Sequence, residues 1–157
     1  MKLVKRKITY RLYPTAQQAS EMVNMLRLHQ QLYNAALEQR ISAYKQKGIS
    51  LGFYDQCKEA TQLRAEMPEH QAVNSAAQQV TLKRLDLAFQ HFFRRVRQGE
   101  KQVGFPRFKS LDRFSGFGSK GDGCGWKFMS GEGMKHGHLR LSGVGHIKIR
   151  GWLARQR

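Results

Sequence analysis

The spacing of apolar residues changes character once along this chain, near Gly104, and that change limits the folds open to it. Ahead of Gly104 apolar side chains recur every three or four residues, the period of a helix with one buried face. Beyond it aromatic residues stand singly and two short alternating runs occur, Leu139 to Leu141 and His146 to Arg150, the period of a half-buried strand. Most of the 15 glycines lie from Gly116 onward, so no long helix is expected there. The stretch from Gly116 to Gly137 is expected to form a mobile loop.

Local signals place the elements. Leu3 to Tyr13 is rich in β-formers and stops at Pro14, which predicts a first strand. Thr15 followed by Gln18 has the spacing of a capping box, and a long helix is expected behind it, with Ala19, Met22, Val23, Leu26, Tyr33, Leu37, Ile41 and Tyr44 on its apolar face and Gly48 at its end. A second helix is expected over Phe53 to Glu66, with Phe53, Cys57, Ala60 and Leu63 inward and Pro68 just past it. A third starts near Asn74 or Ser75, carries Leu82, Leu85, Phe89, Phe92, Phe93 and Val96, and has Gly99 where a left-handed cap fits. The expected fold class is α+β: a small sheet built from residues 1–13 and 103–150, a three-helix insertion spanning 14–102 after its first strand, and a remainder, 151–157.

Charge narrows the partner. Lys and Arg number 28 against 11 Asp and Glu, a formal charge of +17, which points to a polyanion. Residues 14–79 are balanced, so the excess lies at the N-terminus and beyond residue 80. No unbroken apolar run approaches the ~18 residues of a membrane span, and no apolar stretch follows the basic N-terminus as in a secretory signal. A cytoplasmic protein without a membrane partner is expected. Cys57 and Cys124 are too few for a disulfide framework or a four-ligand zinc site, and both are expected to be reduced thiols.

Catalysis has few candidates. A two-metal nuclease needs several converging carboxylates, and from residue 114 onward only Asp122 and Glu132 are acidic. His136, His138 and Cys124 supply three metal-ligand types without a standard spacing. No catalytic residue, metal or cofactor is therefore expected. Arg94 to Lys109 reads RRVRQGEKQVGFPRFK and sets six basic side chains around Phe105 and Phe108. Cations neutralise phosphates and aromatic faces stack on exposed bases. The alternative is that the two phenylalanines anchor the loop to the core while the charges are solvated.

At these residues the sequence resembles the N-terminal part of the OrfB/TnpB family, the RNA-guided DNA nucleases of small bacterial insertion sequences. The stretches that carry the resemblance are TYRLYPTAQQ at Thr9 to Gln18, LYNAALEQR at Leu32 to Arg40, LDLAFQHFFRRVRQGEKQVGFPRFKS at Leu85 to Ser110, and GHIKIRG at Gly145 to Gly151. The resemblance implies a wedge-type β-barrel interrupted by a helical recognition insertion, together binding structured guide-type RNA and a short target-adjacent motif on double-stranded DNA. It implies motif contacts at Phe53, Cys57, Ser75, Gln79 and Phe117. Gln79 matches the family's glutamine and can form paired bonds to adenine, whereas Phe53 and Cys57 stand where more polar side chains are expected. Backbone contacts are expected from Lys5, Lys7, Arg11, Arg94, Arg95, Lys101, Arg107 and Lys109.

The family's RuvC-like catalytic domain and zinc element come later in the chain, and nothing like them precedes Arg157. The expectation is a truncated, non-catalytic nucleic-acid-binding part of a transposon protein. A stand-alone regulator, a basic RNA chaperone and the recognition subunit of a split nuclease, with its catalytic half encoded separately, remain open.

Overall fold

Thr15 fixes the start of the longest element. In the computed structural model, which describes residues 3–4, 9–129 and 136–150, the Thr15 hydroxyl accepts the Gln18 N–H at 3.2 Å while the Gln18 side chain accepts the Thr15 N–H at 3.0 Å. This reciprocal cap satisfies two N–H groups that helix α1 (Ala16–Lys47) leaves without internal partners. Gly48 ends the helix with φ 64°, and its N–H bonds back to the Tyr44 carbonyl.

Helix α2 spans Phe53–Glu66, as its periodicity predicts. Pro68 does more than follow it, because it opens a four-residue helix, α3 (Pro68–Gln71), where a residue without an N–H loses no bond. Helix α4 (Ser75–Arg97) is capped by Asn74, whose side-chain oxygen accepts from Ala76 N–H at 2.9 Å and Ala77 N–H at 3.3 Å. Gln98 closes it and Gly99 then takes φ 72°.

Helices α1, α2 and α4 share one core, in which Leu37, Leu82 and Leu85 are at most 1% exposed and Ala60, Phe89 and Phe92 are also buried. The buried face of α1 differs from its simplest periodic reading in the first half of the helix. Met25, Leu28, His29 and Leu32 are buried, whereas Val23 is 47% exposed. This helix has apolar residues on more than one side there, and the position of α4 decides which side is covered. Tyr44, 38% exposed, contributes its edge to Phe92, Phe93 and Phe105 instead of full burial.

The sheet is antiparallel, in the order β1-β4-β3-β2, with β1 at Leu12–Tyr13, β2 at Trp126–Met129, β3 at His136–Leu141 and β4 at Gly145–Arg150. Trp126–Met129 was hidden from sequence by its flanking glycines and appears as a strand only through its pairing with β3. The first strand is shorter than the run of β-formers: Leu12 pairs Ile149 and Tyr13 pairs Lys148, while Leu3 and Val4 are 91% and 76% exposed. Among the described residues the sheet is open. Tyr10, just before β1, packs its ring on Phe128 of β2 at 5.6 Å, and no backbone pairing joins β1 to β2 among the described residues.

Between the inner face of the sheet and the first half of α1 lies an apolar cavity of about 740 Å³, bordered by Met22, Leu26, Val73, Phe117, Trp126 and Leu139 among others. The stretch from Gly116 to Gly125, part of the expected mobile loop, is tied down over α4. Arg84 donates to the Gly116 carbonyl, Lys120 to Gln79, and Ser119 to the Cys124 carbonyl. Gly125 has φ 87°, and a Cβ there would come within 2.8 Å of the Asn74 side chain, so only glycine lets the loop meet the α4 cap this closely. Residues 130–135 lie outside the described residues.

Candidate nucleic-acid interface

The expected motif contacts gather where the start of α2, the first turns of α4 and the 116–125 loop come together. Gln79, half-buried on α4, accepts a hydrogen bond from Lys120 through Oε1. Lys120 also sits close enough to Cys57 to act on its thiol. Burial pushes the Cys57 pKa up and Asp86 adds to this, while Lys120 and Lys83 oppose it. Cys57 is thus a protonated, half-buried neighbour of two lysines. Phe53 packs against the helical core, and the Lys83 ammonium lies over its ring at 5.0 Å. Ser75 is exposed as the first residue of α4.

Phe117 lies on the other flank of the loop. Its ring stacks on His29 with centroids 5.0 Å apart and planes within 8°. His29 is 1% exposed, and its Nδ1 is bonded to the Thr81 hydroxyl at 2.8 Å. Burial, reinforced by the Arg84 and His70 charges, holds the His29 pKa down to about 4. His70 is lowered as well, by burial first and then by Arg64, against an opposing pull from Glu69. Phe117 is half-buried and braced on one face by a neutral buried ring.

This brace carries a pH dependence of known sign. An unfolded His29 takes up a proton below its ordinary value of 6.5, while the folded one resists until about 4. The stabilisation is complete above 6.5 and is lost as pH falls toward 4, with a loss of about 2 kcal/mol expected by pH 5. Urea unfolding at pH 7 and pH 5 measures this directly. His29→Gln, which keeps a partner for Thr81 without titrating, should remove most of the difference and leave the smaller His70 share. Equal stability of the wild type at both values would contradict it.

The basic block divides by role. Phe105 is anchored: its ring stacks on Phe92 at 4.8 Å and takes the Lys45 ammonium at 5.5 Å. Phe108, by contrast, is 55% exposed. Of the two rings only Phe105 is anchored to the core, while that of Phe108 faces solvent. The turn is fastened below Phe108, where the Lys109 backbone N–H donates to Asn34 at 3.0 Å and its carbonyl accepts from Gln30 at 2.9 Å and Asn34 at 2.8 Å. The Lys109 ammonium is drawn over the Tyr33 ring at 4.9 Å, and Arg95 reaches the Gly104 carbonyl at 3.4 Å. Arg94, Lys101 and Arg107 are exposed, as is Arg11, which leans over Tyr13. Lys5 and Lys7 lie outside the described residues.

Sequence reasoning did not single out Lys83, Arg84 or Lys120, which surround the expected motif contacts. The signal for Arg84 and Lys83 was weak because one acid, Asp86, follows them and leaves that helix segment nearly neutral. Lys120 stood unmarked in a glycine-rich stretch. Their common position depends on the loop folding back over α4.

Residues 1–48 match the model of a helix-turn-helix domain of OrfB proteins of the IS605 type. The described part of that match is one short strand and a single 32-residue helix, so the two-helix unit named by the description is not contained in it. A protein of Streptomyces pristinaespiralis, provisionally named an RNA-guided DNA endonuclease, is 31% identical over 112 residues, which cover 70% of this chain. The match spans 26% of that relative, about a quarter of its length. No helix among the described residues is long and apolar enough to cross a membrane. The capped strand-to-helix start and the Phe-Pro-Arg-Phe turn fall in stretches that carry the family resemblance, and with these two matches they show that the chain belongs to the OrfB/TnpB family of insertion-sequence proteins.

Proposed function

We propose that this chain is the DNA- and RNA-binding part of a transposon-associated OrfB-type protein, and that it reads a short motif on double-stranded DNA without itself performing catalysis. One observation carries the proposal: the loop sets Lys120 on Gln79 and near Cys57, while Lys83, also near Cys57, lies over the Phe53 ring. An amide that can pair with a base edge is thereby surrounded by cations that can hold the flanking phosphates. Lys120 now occupies the Gln79 oxygen, and a phosphate that draws this ammonium away frees the amide for adenine. The helical residues 14–102 act as the recognition insertion, and residues 1–13 with 103–150 act as the wedge-like unit, whose partner is structured guide-type RNA.

Several carboxylates of the helices serve the fold. Asp86 pairs with Arg40 and Lys83, Asp55 accepts the Gly52 N–H, and Glu59 accepts from Gln39. On this reading these carboxylates are structural, and the chain works in the cytoplasm where its nucleic acids are.

Competition binding against a randomised duplex library separates reading from attraction. Gln79→Ala should flatten base preference by the ~1–3 kcal/mol of a bidentate pair while leaving non-specific affinity nearly unchanged. Arg107→Ala should weaken every sequence alike. A wild type with no sequence preference would remove motif reading and leave only a basic binding protein.

A further inference from the structure

The apolar cavity between the sheet and α1 is set apart by what its wall lacks. In a chain of formal charge +17, no Asp, Glu, Lys or Arg of the described residues lines its volume of about 740 Å³. Met22 and Leu26 of α1 form one side, Trp126 and Leu139 of the sheet the other, and the 116–125 loop closes over it through Phe117. Solvent reaches the wall at Val23, which is 47% exposed. Two polar side chains at the wall are already engaged: Asn74 Oδ1 caps α4, and the Ser119 hydroxyl donates to the Cys124 carbonyl. His29 differs. Its ring borders the cavity and is 1% exposed, Phe117 covers one face, and Nδ1 is bonded to Thr81. Among the described residues no hydrogen bond reaches its Nε2, so a buried polar atom at the wall has no protein partner.

We propose that this cavity is a binding site for a small neutral aromatic molecule carrying one hydroxyl group, with its ring between α1 and the sheet and its hydroxyl bonded to Nε2 of His29. Each part of that description answers an observation. The volume is that of a small-molecule site, and a wall without ionic side chains offers an ion nothing to replace its hydration, so a neutral occupant is favoured. Phe117 and Trp126 supply aromatic surface. Nδ1 of His29 can donate to Thr81 or accept from it, which leaves Nε2 the opposite role, and a hydroxyl serves either. Such an occupant also touches the loop that sets Lys120 on Gln79, and by favouring the closed loop it keeps the Gln79 amide from adenine. That consequence rests on the motif reading proposed for Gln79, whereas the site itself does not.

The test titrates the full chain with naphthol, naphthalene and naphthoate by calorimetry. Naphthol should bind at one site per chain and about fivefold tighter than naphthalene, the margin of one hydrogen bond. In isotope-labelled protein naphthol should shift the His29 ring nitrogens and leave those of the exposed His91 in place, and naphthoate should shift neither. Val23→Trp fills the cavity from a solvent-exposed position and should weaken naphthol about tenfold or more, with circular dichroism melting to confirm that the variant is folded. An unmoved His29 signal, naphthoate moving that signal as naphthol does, or undiminished binding to Val23→Trp each overturns the proposal. So does a wild type that self-associates until Val23→Trp makes it monomeric, which gives the cavity to a second copy, or binding that appears only in Trp152→Ala, which gives it to residues 151–157. Saturating naphthol should also weaken the preferred duplex about fivefold and leave non-specific duplex unchanged. Preferred-duplex affinity that stays constant with naphthol bound overturns the hold on the loop. A wild type without sequence preference that still binds naphthol through His29 refutes motif reading and leaves this site standing.

Discussion

Between about 50 and about 200 mM salt, the affinity of this chain for duplex DNA is expected to fall by about three orders of magnitude. The figure follows from counting exposed and half-exposed cations that no acid of the described residues pairs with. Arg11, Arg94, Lys101 and Arg107 are exposed, and Arg95 and Lys109 are half-exposed with weak or aromatic partners. Each phosphate neutralised releases close to one condensed counterion, so roughly six contacts give a steep dependence on salt concentration. Surface ion pairs within the protein would blunt this by occupying the cations, but the described salt bridges involve Arg40 and Lys83 and none of these six. Fluorescence anisotropy across a salt series provides the slope, and Arg107→Ala should make it shallower by about one unit. An affinity that stays flat across this range would mean that phosphates are not the partner.

Replacing Arg40 with Ala is expected to destabilise the fold by about 3 kcal/mol, the lower end of the range for breaking a buried pair. Arg40 is 5% exposed and joins all three long helices. From α1 its Nε donates to Gln56 on α2 at 2.6 Å, its terminal nitrogen pairs with Asp86 on α4 at 3.2 Å, and its guanidinium carbon lies 5.1 Å from the centre of the Phe89 ring. Gln56, 3% exposed, spends its own amide on the Ala36 carbonyl and Gln39. Removing Arg40 leaves the Gln56 oxygen without its donor in the core. The loss stays near the lower bound because Asp86 keeps Lys83 and Gln90 as partners. Urea unfolding measures the change, and the pair Arg40→Ala/Asp86→Ala should lose less than the two single variants combined. A cost under about 1 kcal/mol for Arg40→Ala would show that the network is incidental to stability. Replacement by a long apolar residue is a different experiment, since Met at this position restores packing without restoring the bonds.

The sequence by itself determined the elements whose signals are local. Thr15 with Gln18 fixes the start of α1 through bonds three residues apart, Gly48 fixes its end through backbone geometry, and the α2 and α4 boundaries follow from periodicity and the Asn74 cap. The same holds for the basic character, which is a property of composition. Tertiary structure decided everything that depends on what lies across from a residue. It chose which side of α1 is buried, placing His29 and Arg40 in the interior where a sequence pattern reads polar side chains as exposed. It paired β2 with β3 across a glycine-rich stretch that carries no strand period, and it shortened β1 to two residues because β1 pairs with β4, more than a hundred residues away, and such pairing leaves little local trace. It split Phe105 from Phe108, one stacked and one exposed, although both stand in the same short turn. It also brought Lys120 to Gln79 and aligned Lys148 with Tyr13, and those encounters are set by loop closure and strand register, which act through space and not along the chain.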